Sequence, residues 1–191
     1  MNKEQPEIAF GSSAALRTWL EMNHALSDGI WLKFYKKGSG TLSVVYAEAL
    51  DEALCYGWID GQLKAGDKNY YLQRFTPRRP RSTWSKRNIS HVERLETEGL
   101  MKPSGLKAVE DAKKDGRWDN AYDSQSDMIV PDYLLAELKN APKSLAFFES
   151  LDKINTYAIV WRLQSAKNPE TRAKRMKVLL EMLAKGEKIH P

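Results

Sequence analysis

The chain has 191 residues, 42% of them apolar, with a single Cys and a net charge of +5. That length can bury roughly 70% of the unfolded surface without metal or disulfide support, and one cysteine excludes an internal disulfide, as suits a reducing compartment. No apolar run of about 18 residues occurs and the first ten residues lack a secretory pattern, so a soluble, cytoplasmic protein without a membrane span is expected.

Residues 1–11 read as a loosely held arm. Ser12 or Ser13 then caps a helix in which Leu16, Trp19 and Leu20 share one face, and His24 falls at its C-terminal end as a cap or surface histidine. From Gly29 to Lys37 apolar residues alternate, with Ile30, Leu32 and Phe34 on one side, which is a strand with one buried face. The Gly-rich turn Lys36–Gly40 matches no phosphate-loop pattern and reads as an ordinary turn. Ser43 is the expected N-cap of the next helix, whose Tyr46, Ala49, Leu50, Ala53 and Leu54 face inward and which stops at Gly57. Glu48, Asp51 and Glu52 on the opposite side read as a solvated acidic face. Cys55, in the last turn, reads as a small core residue.

Trp58–Lys64 and Asn69–Phe75 form a hairpin around Gly66, Asp67 and Lys68. Asp60, between Trp58 and Gly61, suits either a turn or a ligand contact. There follows a cationic stretch, QRFTPRRPRSTWSKRN. From Arg74 to Arg94 it carries seven Lys/Arg and the single Glu93, while the whole chain is only +5. Cations crowded in this way are relieved by a bound anion. Ser85 is the expected cap of a helix with Ile89, Val92 and Leu95 inward and with Arg87, His91 and Arg94 along another face. Gly99 closes that helix and Pro103 opens another, through about Lys114. A polar connection, Asp115–Tyr122, precedes four helices over Asp132–Asn140, Pro142–Ser150, Ile154–Ala166 and Pro169–Lys185. In the last, Ala173, Met176, Leu179, Leu180 and Leu183 form the apolar stripe and Arg172, Lys174, Arg175 and Lys177 stay solvated.

Metal binding has no support, because His24, His91 and His190 are far apart and no second Cys exists. Cys55, His91 and Asp60 can be assembled on paper into a covalent-catalysis set, but no local signature such as GxSxG accompanies them. No cofactor is indicated.

CYGWIDGQLK, QRFTPRRPRSTWSKRNI, ERLETEGLMKPSGL, DGRW and SAKNPETRAKRM together resemble the YdeI/OmpD-associated family, the bacteriocin-protection proteins. The resemblance covers most of the chain, with Pro131 to Lys188 as the module that gives the family its name. It implies a small bacterial protein concerned with tolerance of antimicrobial peptides or stress. It transfers no catalytic residue.

The expected fold is α+β, a small mostly antiparallel sheet with flanking helices over 1–115, followed by a helical C-terminal part over 116–191. The expected site is an anion pocket at a helix N-terminus. It is built from Arg74, Arg78, Arg79, Arg81, Trp84, Ser85, Arg87 and His91, with Trp58 and Asp60 nearby. Its partner is a small anion bearing phosphate or carboxylate. The alternatives are an enzyme acting on such a metabolite through Asp60 or His91, and a nucleic-acid binder stacking bases on Trp84 and Tyr71. A nucleic-acid surface calls for cations spread over a wide face, and the sequence shows them gathered in one loop. Oligomeric state is not fixed by these patterns.

Overall fold

The computed structural model describes residues 5–123, 128–166 and 168–190. The first four residues of the N-terminal arm and Lys167 of the C-terminal motif lie outside the described residues. From Gln5 onward the arm is not loose. Glu7–Ile8 form strand β1, which pairs in parallel with β2 (Ile30–Tyr35), and the Trp31 N–H donates to the Pro6 carbonyl at 2.9 Å. Phe10 is buried and its carbonyl accepts the Val44 N–H at 2.9 Å. Backbone groups of an otherwise extended segment find partners in this way, which explains why polar composition alone misreads it.

Helix α1 (Ser13–Asn23) starts where Ser12 accepts the Ala15 N–H on its hydroxyl, and buries Leu16 and Leu20. Helix α2 (Tyr46–Cys55) begins after Val45 with no side-chain cap. Ser43 is not that cap, because its hydroxyl accepts the Tyr35 N–H at 3.1 Å and closes the end of β2 instead. Gly57, at φ 75°, turns the chain into β3 (Trp58–Ala65). Asp67 Oδ1 accepts the Asn69 N–H at 2.6 Å and sets the turn into β4 (Tyr70–Pro77). The strand order is β1-β2-β4-β3, with β1–β2 parallel and the other two pairs antiparallel. The sheet is therefore small and mixed. Ile30, Leu32, Phe34 and Phe75 occupy its inner face with α2's Ala49, Leu50, Ala53 and Leu54, all of them buried.

The acidic side of α2 is not a solvated face. Glu52 is 5% exposed and receives Arg17 at 2.6 and 2.8 Å. Asp51 receives Arg94 at 2.6 Å and lies 2.7 Å from His91 Nδ1. Only Glu48 stays exposed and unlinked to these pairs. The charges are met by side chains of α1 and α3 (Lys86–Thr97). Asn88, Val92 and Leu95 are the buried positions of α3, with Ile89 half-buried. Helix α4 (Pro103–Lys114) has proline in its first turn, where the missing N–H costs nothing.

The chain divides into two compact units, one of residues up to Trp84 with Asn88–Asn120, the other of Ser85–Arg87 with residues from Ala121 on. The second unit holds α5 (Asp132–Lys139), α6 (Pro142–Glu149), α7 (Lys153–Gln164) and α8 (Pro169–Ala184). Its core gathers Leu134, Leu138, Ile159, Val160, Leu163, Leu179 and Leu183. Ala173 is exposed rather than part of the α8 stripe, and Arg172 lies half-buried over the Tyr133 ring at 5.2 Å. Buried Asn155 accepts the Ile189 and His190 N–H groups at 3.0 and 2.9 Å and so anchors the tail after α8. Asp123 pairs with Lys86 at 2.6 Å. Burial works against its ionisation, yet the Lys86 ammonium and the Gln164 amide outweigh burial and hold the carboxyl below the usual range. Among the described residues no helix is long and apolar enough to cross a membrane, and no group of three His, Cys, Asp or Glu is placed to hold a metal ion.

Candidate anion-binding site

Beyond β4 the cationic loop is held by its backbone. The Arg78 N–H donates to the Gly57 carbonyl at 2.9 Å, and a turn closes where the Ser82 N–H donates to the Arg79 carbonyl at 2.9 Å. The Ser82 hydroxyl accepts the Arg79 N–H at 3.0 Å. Arg78 then lies flat on Trp84, its guanidinium carbon 3.4 Å from the ring centroid, while Nη1 donates to the Thr83 carbonyl. Trp84 itself is 2% exposed and packs at 5.0 Å against the Trp118 ring. A desolvated guanidinium on an indole is worth about 2 kcal/mol, so this stack fixes Arg78. It also means that Trp84 is buried under the arginine and offers no surface to a ligand.

The opposite wall comes from α4 and the turn that follows. Ser104, Lys107, Ala108, Asp111 and Lys114 lie on one stripe of α4, roughly 15 Å long at 1.5 Å per residue. Arg117 ties the turn to the loop, donating from Nη1 to the Ser82 carbonyl at 3.0 Å and from Nε to Asp115 at 2.8 Å. Its hydrogen bonds hold the Asp115 carboxyl below the usual range. Between the walls runs a cleft of about 590 Å³, lined also by Tyr56, Gly57, Trp58 and His24. Arg78, Arg79, Lys107, Lys114 and Arg117 line it, against Asp111 and Asp115.

The two carboxylates are already engaged, Asp111 with Lys107 at 3.3 Å and Asp115 with Arg117. Arg79 and Lys114 enter no ion pair among the described residues. The hydroxyls of Tyr56 and Ser104 are buried without a hydrogen-bond partner among those residues, and burial raises the Tyr56 pKa, so it stays a donor at neutral pH. His24 carries its proton on Nδ1, which donates to the Leu20 carbonyl at 2.9 Å, and its ring centroid is 5.1 Å from that of Tyr56.

Of the residues singled out in the sequence, Arg78, Arg79 and Trp58 line this cleft. Trp58 is fully buried, its Nε1–H donating to the His24 carbonyl at 3.1 Å. Arg81 is exposed in the same loop. Arg74 lies on β4, where Nε donates to Gln5 Oε1 at 2.7 Å. Asp60 is taken by the Tyr46 hydroxyl at 2.7 Å and His91 by Asp51, and neither lines the cleft. Ser85 and Arg87 belong to the second unit, where Ser85 bridges in parallel to Tyr122. Sequence reasoning missed Lys107, Lys114, Arg117, Tyr56 and Ser104, although Lys107, Asp111 and Lys114 recur at helical spacing.

Residues 8–108 match the family model described as a domain of unknown function (DUF8412). Residues 127–186 match the model described as "Bacteriocin-protection, YdeI or OmpD-Associated". The motifs GWIDG and PRRPRS fall in the first of these, the C-terminal helices in the second. No curated protein matches, and no solved structure does.

Proposed function

The chain belongs to the family of the domain of unknown function (DUF8412), whose model spans more than half of it, and from the cleft, which extends past that match to Arg117, we infer a binding protein for a small organic anion. The observation that carries this reading is the convergence of cations from two separate elements, the Arg78–Arg79 loop and the Lys107–Lys114 stripe of α4, on one cleft. Like charges gathered in a concave site of low dielectric focus a positive potential, and the protein's own carboxylates there are already paired. The ligand presents a phosphate or carboxylate to Arg79 and Lys114 and packs its body over Gly57 and Pro80. The buried Tyr56 and Ser104 hydroxyls supply donors that would otherwise cost about 1–3 kcal/mol each to leave unmade. The two-wall geometry favours a small anion over a catalysed substrate, since neither Asp60 nor His91 reaches the cleft.

A thermal-shift series with inorganic phosphate, pyrophosphate and citrate tests the reading. A ligand at a hundred times its Kd adds about 2.7 kcal/mol of stability, which raises the melting midpoint of the wild type. Arg79→Ala with Lys114→Ala is expected to melt as the wild type does without ligand and to lose the shift. A wild type indifferent to all three anions overturns the reading. The second unit's match supports a physiological role in tolerance of antimicrobial peptides. A bacterial strain lacking the protein then survives such peptides less well, and is rescued by the wild type but not by the double variant.

A further inference from the structure

The sheet's outer face is a different kind of surface from the cleft. Alternation along β2 and the register with β4 bring Trp31, Lys33 and Tyr35 beside Arg74, Leu72 and Tyr70, all pointing away from the helical side. Lys64 of β3 stands opposite Leu72 and so joins the same face. Three aromatic rings and three cations from three strands therefore share one side of the sheet. Every one of these six keeps part of its surface in solvent, while Ile30, Leu32 and Phe34 on the inner face are at most 2% exposed. The cations are arranged around the rings. Lys33 Nζ sits 4.2 Å from the Tyr70 centroid, Lys64 Nζ 5.8 Å from that of Trp31, and Tyr35 meets Tyr70 edge to face at 5.9 Å.

The carboxylate that these strands put on this face is Glu7, and its contacts with Lys33 and Lys64 are long, 3.9 and 4.0 Å. Past Trp31 and Arg74 the face runs into a cavity of about 1130 Å³ that reaches Arg78 and Arg79. Cations thus extend over a wide face, the property that the linear sequence concealed by interleaving them with strand residues.

We propose that this face binds single-stranded nucleic acid, stacking unpaired bases on Trp31 and on Tyr35 and placing phosphates on Lys33, Lys64 and Arg74. Trp31 and Tyr35 are four residues apart on one strand, so the two platforms are roughly 13 Å from each other. A face with rings set among cations suits bases whose faces are open, whereas a duplex hides them in its own stack. Glu7 opposes binding by competing for the two lysines. The face borders the cleft at Arg78 and Arg79 but uses none of the α4 residues.

Fluorescence anisotropy with labelled oligothymidylate and oligouridylate of about 12 nucleotides tests it, with a duplex of the same length as comparison. Three to five phosphate contacts give a slope of log K against log salt of roughly −2 to −3.5 between ~50 and ~200 mM. Trp31→Ala is expected to weaken binding about ten-fold or more, the effect of losing one stacked base. Lys64→Glu, at a largely exposed position, lowers the affinity and flattens the slope. Glu7→Gln tightens binding several-fold, a gain that a purely structural role does not produce. Lys114→Ala abolishes none of this, while Trp31→Ala keeps the phosphate-induced thermal shift, so failure of either site is seen separately. Equal affinity for duplex and single strand, with Trp31→Ala and Glu7→Gln both unchanged, overturns the proposal, as does the absence of binding at the lowest salt.

Discussion

Arg17 grips Glu52 with two nitrogens while Glu52 itself is 5% exposed. Removing the arginine leaves a buried carboxylate without its partner, and Arg17→Ala is expected to cost about 2–3 kcal/mol, seen as a lower denaturation midpoint at unchanged m. Arg17 is partly solvated, which keeps the figure below that of a fully buried pair. Cys55 gives a pH-dependent prediction. Burial, reinforced by the charge of Glu52, pushes its thiol up to about 11 from 9.0. The native state therefore keeps the proton longer than the unfolded chain does. Its contribution is full below pH 9 and is lost as pH rises through 11, amounting to roughly 2–3 kcal/mol. In denaturant titrations across that window the stability of wild type relative to Cys55→Ala should fall as pH rises; parallel curves would sink the idea. At this scale the sequence was a poor guide to partners. Asp51 and Glu52 look like solvent-facing charges because the residues that meet them, His91, Arg94 and Arg17, are distant in the chain.

Two glycines govern how α2 and α4 meet. A Cβ on Gly105 would stand 2.2 Å from the Cys55 carbonyl oxygen, and one on Gly57 would stand 2.8 Å from the Ser104 carbonyl. Both obstacles are backbone and cannot swing aside. Gly105→Ala is expected to cost about 3 kcal/mol or more by forcing the helices apart, and to weaken anion binding because Ser104 and Lys107 move with α4. Calorimetry reads the first effect and the thermal-shift series the second. Caps act more gently. Asp152 accepts the Asn155 N–H at 2.8 Å at the start of α7, and Asp152→Ala should lower the melting midpoint slightly. Elements were the most legible level of this protein, since Ile30, Leu32 and Phe34 or Ala49, Leu50, Ala53 and Leu54 write their burial into a simple period. The cleft was not, because its second wall is a stripe of lysines on α4 that periodicity alone assigns to solvent. Gly57 could be read as a helix stop, but nothing local announces that Gly105 lies against it.

For the molecule as a whole, the cationic loop looked like the centre of a pocket opening on the next helix, and the fold turns it toward a later one. Ser85 and Arg87, adjacent to the loop in sequence, go with the C-terminal helices. The chain's single thiol is buried, so its melting midpoint is expected to be the same with and without reductant, and a native gel to show no reductant-sensitive dimer. A midpoint that falls on reduction would mean that Cys55 becomes exposed and cross-links.

The order β1-β2-β4-β3 also has a consequence during synthesis. When β2 leaves the ribosome its main antiparallel partner has not been translated, for α2 and β3 come first. At about 5–20 residues per second the nascent strand waits some seconds with one hydrogen-bonding edge open, touched on its other side by the two residues of β1 alone. Insertion of β4 between β2 and β3 is then the event that closes the sheet. A series of stalled chains of increasing length should gain protease resistance abruptly once Pro77 has emerged, rather than gradually from β2 onward.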